Sequence, residues 1–571
     1  MGTSTSGQKQ DDSHQNARAK PKISPLHGLQ LRAFLSAADD VDADSDTLDD
    51  LMDGVGEEIC SSMTDQDSLS GLSDTEHVDS TPDNSIFNGA ISADATDSDT
   101  EQIDPAELHA LEQEAERAWT KEEIGKMMHF VREKGMGPFI REYVVVQQTP
   151  IVKLLFAFGI SLCPELRAKS PATLLYFLRV AISRVLRLRE KLPQHNTIED
   201  AVSLIQRSRR IIILTGAGIS LASPCGIPDF RSRNGLYASL KANGQYDLDD
   251  PQQMFDIHYF KEHPAGQLHY QCTAQIYPSN FIPSPCHRFI KLIEDKGKLL
   301  RNYTQNIDTL ETQAGIKRVL QCHGSFKTAT CLLCRKQVPG VEIEREILER
   351  RVPYCKTCLE AHRAAEAQKS KVTKKGKKRK NEWDDDSDDS DDDMPVGVMK
   401  PDITFFGEKL NDEFDRALEE DRDKVDLLLV IGTSLKVSPV SEIFSHLPHS
   451  VPQILINRTP IRHINPDVVL LGNADDIVQY LCERLHWELP PPTPQHGLQL
   501  DVPVPLGKNG KRSSTEMMGI AEPVRVGESH VWLFQGAEGG KWVEDIREKY
   551  NHVVKQNVPH SEPGAKKARV T

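Results

Sequence analysis

Cys331-x-x-Cys334 and Cys355-x-x-Cys358 are separated by twenty residues. Two such pairs can close four thiolates around one tetrahedral zinc ion. All four positions are sulfur, so no coordination site is left for water or substrate, and the expected zinc is structural. A zinc ribbon that reads DNA would share this spacing. The arm between the pairs contains VEIEREILERRV, which is mixed in charge and offers no basic face.

A second chemistry is written in glycines, amides and one imidazole. The run Arg210 to Leu214 leads into Thr215-Gly216-Ala217-Gly218-Ile219-Ser220. Glycines directly after a strand let backbone approach a pyrophosphate without a Cβ in the way. Gly226-Ile227-Pro228-Asp229-Phe230-Arg231 then puts an acid, an aromatic ring and a guanidinium on one loop. Thr304-Gln305-Asn306-Ile307-Asp308 and Gln321-Cys322-His323-Gly324-Ser325 follow two further strand-like runs. His323 can act as a base near neutral pH, while Asn306 and Asp308 position a ligand hydroxyl. Late in the chain come Lys400-Pro401-Asp402-Ile403-Thr404-Phe405-Phe406-Gly407-Glu408, then Gly432-Thr433-Ser434-Leu435, then Asn457-Arg458. The Gly-Thr-Ser turn would offer amides and hydroxyls to the same ligand; Phe405 and Phe406 also fit a core.

These groups need a frame that brings strand ends together. Short apolar runs at Arg210 to Leu214, Leu299 to Thr304, Arg318 to Cys322, Ile403 to Phe406, Asp426 to Ile431, Gln453 to Asn457 and Val468 to Leu471 alternate with several helical stretches. That grammar predicts an α/β fold with a parallel sheet covered on both faces. In such a sheet ligands bind beyond the carboxyl ends of strands. Thr197 to Asp200 has a capping-box pattern, and Asp475 to Leu485 reads as the closing helix.

The 571 residues are 38% hydrophobic, less than a chain folded throughout would need. Residues 33–104 hold 21 Asp or Glu and no Lys or Arg, so residues 1–104 are expected to be a disordered acidic tail. Residues 105–196 read as a helical regulatory module. Residues 197–487 form the core, with a zinc module at 325–360 and a charged disordered insertion at 361–397. Residues 371–380 carry seven positive charges and 382–393 nine negative ones, the former a candidate nuclear-localisation signal. Residues 488–571 are expected to be mostly disordered apart from a strand-like regulatory segment at 530–538. The net charge of -16 excludes a basic nucleic-acid coat protein, yet residues 1–104 contain 23 acidic and only 5 basic residues, so the remainder is close to neutral. The longest apolar stretch, Ile151 to Cys163, is too short to span a bilayer, and the scattered cysteines suit a reducing compartment. A soluble, intracellular protein is expected.

In this order GAGIS, GIPDFR, TQNID, QCHGS, the two CxxC pairs, KPDITFFGE, GTSLKVSP and LINR resemble the sirtuin family of NAD-dependent protein deacylases, in particular its large nuclear class I branch. The resemblance covers about Thr197 to Leu485. It implies a Rossmann-like NAD domain with a smaller zinc-ribbon and helical lobe. Gly216, Ala217 and Gly218 would hold the pyrophosphate, and Asp229, Phe230, Arg231 and Tyr237 the flexible cofactor loop. Gln305, Asn306, Ile307 and Asp308 would bind the nicotinamide and its ribose; Gly432, Thr433, Ser434, Asn457, Arg458 and Ala474 would take the adenosine half. His323 would be the general base, with Asn306 beside it. Thr404, Phe405, Phe406, Gly407, Glu408, Leu435 and Val437 would receive an acetyl-lysine peptide as an added strand.

The implied reaction consumes NAD and yields nicotinamide, O-acetyl-ADP-ribose and free lysine, on histones and transcription regulators in a nuclear protein that also shuttles to the cytoplasm. No sequence-specific nucleic-acid binding and no membrane association are implied. Five residues, Leu221 to Cys225, separate Ser220 from Gly226 where the family pattern has three. An ADP-ribosyltransferase or longer-chain deacylase would keep the same fold; a non-catalytic scaffold would follow if this insertion closes the cofactor turn. Residues 530–538 resemble a C-terminal segment of the same branch and are expected to dock on the edge of the sheet.

Overall fold

The computed structural model describes residues 24–41, 44–52, 105–221, 255–262, 269–270, 273–274, 277, 281–364, 397–409, 412–491 and 522–556. Two compact units divide the chain between Leu188 and Arg189.

The first unit is helical. Pro25–Leu35, Ala38–Val41 and Ser45–Met52 are helices, as are Pro105–Ala118, Lys121–Lys134, Ile151–Ala157 and Pro171–Arg187. Thr120 starts one of them with a reciprocal cap: its hydroxyl accepts from Glu123 N and its own N–H donates to Glu123 Oε2 at 2.8 Å. Residues 24–41 and 44–52 correct the expectation of a tail disordered throughout. Leu26, Leu31, Phe34 and Leu51 are buried, Phe34 stacks on Phe177 with centroids 4.0 Å apart, and the Gln30 amide bonds both Ser161 O and Cys163 N. Composition averaged over 104 residues hides one short apolar run, PLHGLQLRAFL, whose spacing makes a helix with a buried face.

The second unit is built on an eight-stranded sheet. Its strands are β1 (Ile211–Thr215), β2 (Leu299–Thr304), β3 (Val319–Gln321), β7 (Leu427–Ile431), β8 (Gln453–Asn457), β9 (Val468–Leu471), β10 (Val524–Arg525) and β11 (Val531–Leu533). The order is β10-β11-β9-β8-β7-β1-β2-β3, with every neighbour parallel except β10 and β11. A smaller antiparallel sheet joins β5 (Gln337–Pro339), β4 (Gly324–Cys331) and β6 (Met399–Ile403) in that order.

Alternation along the strands divides the core. Ile211, Ile213, Leu427, Leu429, Ile454 and Ile456 face the helices Ile198–Arg207, Pro285–Asp295 and Ala474–Leu485. Ile212, Leu214, Leu428, Val430 and Leu455 face the opposite side, against Phe414, Leu418 and Ile443. Both faces are covered, which is why these strands read as unbroken apolar runs. Arg189 anchors the start of the unit: its guanidinium meets Asp467 Oδ2 at 2.8 Å and donates to the carbonyls of His449, Val451 and Asn465, all in buried or half-buried surroundings.

The expected strand Ile403 to Phe406 is displaced. The strand is Met399–Ile403 and it belongs to the small sheet. Lys400 and Asp402 disguise it, because their charges are paired inward: Lys400 Nζ with Glu408 at 2.9 Å and Asp402 with the Thr328 hydroxyl at 2.6 Å. Past Ile403 the chain turns, with Glu408 accepting from Phe405 N and Gly407 at φ +79°. At the C-terminal side, β11 pairs parallel with β9, and residues Gly540–Gln556 form a helix that the polar-tail expectation misses. Val543 is buried there, with Trp542 and Ile546 packed alongside.

Candidate functional site

Strand order reverses around β1, whose neighbours are β2 and β7. Crevices in open parallel sheets form at such a reversal, outside the carboxyl ends. Here the ends of β1 and β7 pack backbone against backbone. Gly218 N donates to Gly432 O at 2.7 Å, and a Cβ on Gly218 would stand 2.6 Å from Gly432 Cα. A Cβ on Gly216 would stand 2.7 Å from Thr433 Cβ, and Gly432 has φ +65°. Only glycine fits these positions. Ala217 stays exposed on the outer edge of the turn.

Beyond β2, Gln305 N donates to Thr215 O at 2.9 Å. The Gln305 amide oxygen accepts from the Thr433 hydroxyl at 2.9 Å, while its buried Nε2 has no partner among the described residues. Asn306 Nδ2 donates to Gly216 O and to Ser220 Oγ, each at 3.2 Å. Ser220 Oγ in turn donates to Asp308 Oδ2 at 2.9 Å. Burial raises the Asp308 carboxyl above the usual carboxylate range, offset partly by the Leu310 amide and the Ser220 hydroxyl. Ile307 is half-buried between Asn306 and Asp308.

His323 ties the sheet to the small lobe. Its Nδ1 lies 3.0 Å from Gln305 O and its Nε2 3.2 Å from Ser438 O. A neutral ring donates through one nitrogen only, so with the proton on Nδ1 the Nε2 lone pair is available as a base. Once Nε2 is protonated, both nitrogens donate to carbonyls. The His323 carbonyl accepts from Thr404 N at 2.8 Å, so the substrate-side segment hangs on the same residue.

That segment is divided by burial. Phe405 is 2% exposed and packs edge-on against Phe255 and Phe260, which makes it core. Phe406 is 41% exposed, yet its N–H and C=O already pair with Phe255 O and Ile257 N. An added strand therefore cannot use the Phe406 backbone as arranged here. Leu435 is buried at φ +53°, its N–H bonded to the Thr433 hydroxyl; Val437 is half-buried and Ser434 exposed.

On the β8 side, Asn457 Nδ2 donates to Thr433 O at 3.1 Å, and Arg458 reaches Asn473 Oδ1 at 3.1 Å. Ala474 opens the helix that follows and is buried. Glu538 N donates to Arg458 O at 2.9 Å, so the C-terminal segment abuts this end of the site. Asp229, Phe230, Arg231 and Tyr237 lie outside the described residues, as do residues 222–225 before Gly226 and the basic cluster at 371–380. Sequence reasoning placed Ser220 and Thr304 within its motifs without giving either a role, and assigned none to Asn302 or Glu311. Asn302 is buried and donates to Ile213 O and the Thr215 hydroxyl; a polar residue inside an apolar strand was the available signal.

The four cysteines converge. Their sulfurs lie within 4.8 Å of one another, with Cys331–Cys358 and Cys334–Cys355 at 3.7 Å. Tetrahedral zinc with bonds of about 2.3 Å needs sulfurs roughly 3.8 Å apart, and the cluster fits a structural zinc ion. The Lys336 amide, with the neighbouring sulfurs, lowers the Cys334 thiol to about 7, whereas burial pushes Cys358 up to about 12. Four thiolates this close need a cation among them.

A parallel nucleotide-binding sheet with its glycine turns at the reversal point, joined to a four-cysteine module, defines an NAD-type α/β protein with a zinc lobe. The Sir2 family model matches residues 216–439, and a model described as a protein of unknown function (DUF592) matches residues 160–215. The chain is 39% identical over 405 residues to the NAD-dependent histone deacetylase sir2 of Schizosaccharomyces pombe, covering 70% of this chain and 82% of that protein. It is 49% identical over 300 residues to mouse NAD-dependent protein deacetylase sirtuin-1, covering 52% of this chain and 36% of that protein. The corresponding values for the Drosophila melanogaster NAD-dependent histone deacetylase sirtuin-1 are 50% over 297 residues, 52% and 34%. The chain belongs to the Sir2 family. It spans about a third of the length of these sirtuin-1 relatives. No helix among the described residues is long and apolar enough to cross a membrane.

Proposed function

We propose that the protein is an NAD-dependent protein-lysine deacetylase acting in the nucleus on acetylated histones and transcription regulators. The observation that carries this reading is His323, held through Nδ1 by Gln305 O beside the Asn306–Ser220–Asp308 relay. Its relatives are named as NAD-dependent protein and histone deacetylases.

NAD, as co-substrate, supplies an electrophilic ribose carbon and a leaving nicotinamide. The chain's own residues do the rest. Gly216, Ala217 and Gly218 give a turn without side-chain bulk for the pyrophosphate, and the open Gln305 Nε2 supports the fit, being a buried donor that needs an acceptor. Asp308, an anion oriented by Ser220 and Leu310, holds the nicotinamide side. His323 Nε2 would serve as the base for a ribose hydroxyl of bound NAD, and Ser438 O would accept the N–H so formed. Asn457, Thr433 and Ala474 serve the adenosine half, with Asp229, Phe230, Arg231 and Tyr237 on the cofactor loop. A substrate strand would pair along Gly407–Glu408 and Leu435–Val437, leaving Phe406 to its present partners.

Nuclear action is supported by the basic cluster at 371–380. The test incubates purified protein with NAD and an acetylated histone peptide and follows products by mass spectrometry. Equal amounts of deacetylated peptide, nicotinamide and O-acetyl-ADP-ribose are expected. Peptide carrying ADP-ribose would instead mark a transferase, and no turnover with measurable NAD binding would sink both.

A further inference from the structure

Behind the strand-end turn sits a second group of ligating atoms. His287, Asp308 and Glu311 are buried, and their nitrogen and carboxylate oxygens lie within 4.8 Å of one another. Among the described residues, His287 Nε2 and Glu311 Oε2 have no hydrogen-bond partner.

A metal is the first idea and the hydrogen bonds reject it. His287 is the third residue of the helix Pro285–Asp295, and its Nδ1 accepts from Ser284 N at 3.2 Å. A backbone amide can only donate, so this contact is met with Nδ1 bare, accepting also from the Ser284 hydroxyl at 2.9 Å, and with the ring proton on Nε2. In that tautomer Nε2, the nitrogen without a hydrogen-bond partner among the described residues, is a donor and does not ligate a cation. Burial drives the ring down to about 3, so it stays neutral and contributes no positive charge.

Two buried carboxyls beside a neutral ring cannot both ionise at low cost. The hydrogen bonds decide which one keeps the proton. Both Asp308 oxygens accept, one from Ser220 Oγ and one from Leu310 N. Glu311 accepts at Oε1, from Thr304 Oγ at 2.5 Å, with a smaller pull from its own backbone N–H, and its Oε2 has no hydrogen-bond partner among the described residues. Burial, with Asp308 next, pushes the Glu311 carboxyl up to about 8. The titratable groups facing Glu311 among the described residues are Asp308, His287 on the helix and Cys322 at the end of β3; none supplies a cation.

The same contact reaches the site by a second route. Thr304 Oγ, which donates to Glu311, accepts from Asn306 N at 3.1 Å. We propose that Glu311 is a positioning residue of the Thr304–Asp308 turn, holding the one proton of the buried Asp308–Glu311 pair so that Asp308 stands as the single anion on the nicotinamide side. The turn's role toward nicotinamide rests on the deacetylase reading above, whereas the proton held on Glu311 does not.

The test measures thermal stability of the full-length protein between about pH 5 and pH 9, with Glu311→Gln and Asp308→Asn alongside. A carboxyl raised in the folded state gives stability that is complete in the ordinary carboxylate range and is lost as pH climbs to about 8. The melting temperature of the native protein should therefore fall relative to Glu311→Gln up to that pH and then run parallel to it. Asp308→Asn should end the fall at lower pH, because the neighbouring charge is gone. NAD affinity by calorimetry at neutral pH should stay within about twofold in Glu311→Gln, which keeps the acceptor for Thr304, and weaken about fivefold or more in Glu311→Leu. Parallel melting curves for native protein and Glu311→Gln overturn the proposal, as does a second zinc per chain lost on His287→Gln. Should Glu311→Leu not fold, the other two variants decide. Should no variant and no native protein bind NAD, the functional reading fails while the melting profiles still settle where the proton is.

Discussion

The zinc module and the strand-end turn both gather ligating side chains within a few ångströms, and they do so by opposite means. The four cysteines come from two short knuckles on one lobe, and their partners are each other: Cys334 N donates to Cys331 Sγ at 3.4 Å, and a Cβ on Gly397 would press 2.6 Å from the same sulfur. The turn residues come from β1, β2, β3 and β7, and each is oriented by a neighbour's backbone or hydroxyl. A closed sulfur shell spends all its donors on the ion. Among the described residues the strand-end group leaves Gln305 Nε2 uncommitted, and His323 keeps a lone pair because a neutral ring donates through one nitrogen only. One cluster holds shape, the other holds chemistry.

The strongest test of that contrast is Cys355→Ser. Zinc, measured by elemental analysis, should fall from one per chain to nearly none, with a loss on the order of 10 kcal/mol of metal-linked folding energy confined to the small sheet. Hydrogen exchange should show β4 and β6 unprotected while β1, β7 and β8 keep their protection; a chain that unfolds throughout would erase the distinction. Next in size, His323→Ala should lower deacetylation about a thousandfold, roughly 4 kcal/mol at the barrier, with zinc content and melting temperature unchanged. Activity surviving that change would remove the base. Gly218→Ala forces a Cβ into the Gly432 backbone, and a stability loss of about 2 kcal/mol by urea titration should accompany weaker NAD binding. His287→Gln is the gentlest: one zinc per chain persists and stability moves by about 1 kcal/mol, because a buried donor is replaced and no ligand is lost.

The parts of this molecule legible from sequence are those where one local rule acts alone. The strands β2, β8 and β9 fall where their apolar runs place them, since both faces of the sheet are covered and no polar alternation confuses the reading. The CxxC pairs announce their cluster by spacing. The displaced strand Met399–Ile403 was hidden because Lys400 and Asp402 are charged yet paired inside the fold, a compensation visible only once Glu408 and Thr328 are in place. Glu311 was missed for a related reason: on a four-residue helix after a turn it reads as a surface acid. The helix Gly540–Gln556 and the helices within residues 24–52 were lost to averaging, because a few apolar residues at helical spacing vanish in a polar composition.

The pairing of β11 with β9 has a consequence for biosynthesis. Phe534 N donates to Leu471 O at 2.7 Å and Val469 N to His530 O at 3.0 Å, closing an edge whose own strand was synthesised some sixty residues earlier. Until the ribosome has delivered residues 530–534, the apolar row Val468–Leu471 has an unpaired border, open to any other extended chain nearby. A nascent protein stalled before that point carries a nearly complete sheet with a sticky margin, so chaperone demand should peak there and drop once β11 arrives. The two-residue β10 then leaves only a short strip at the rim.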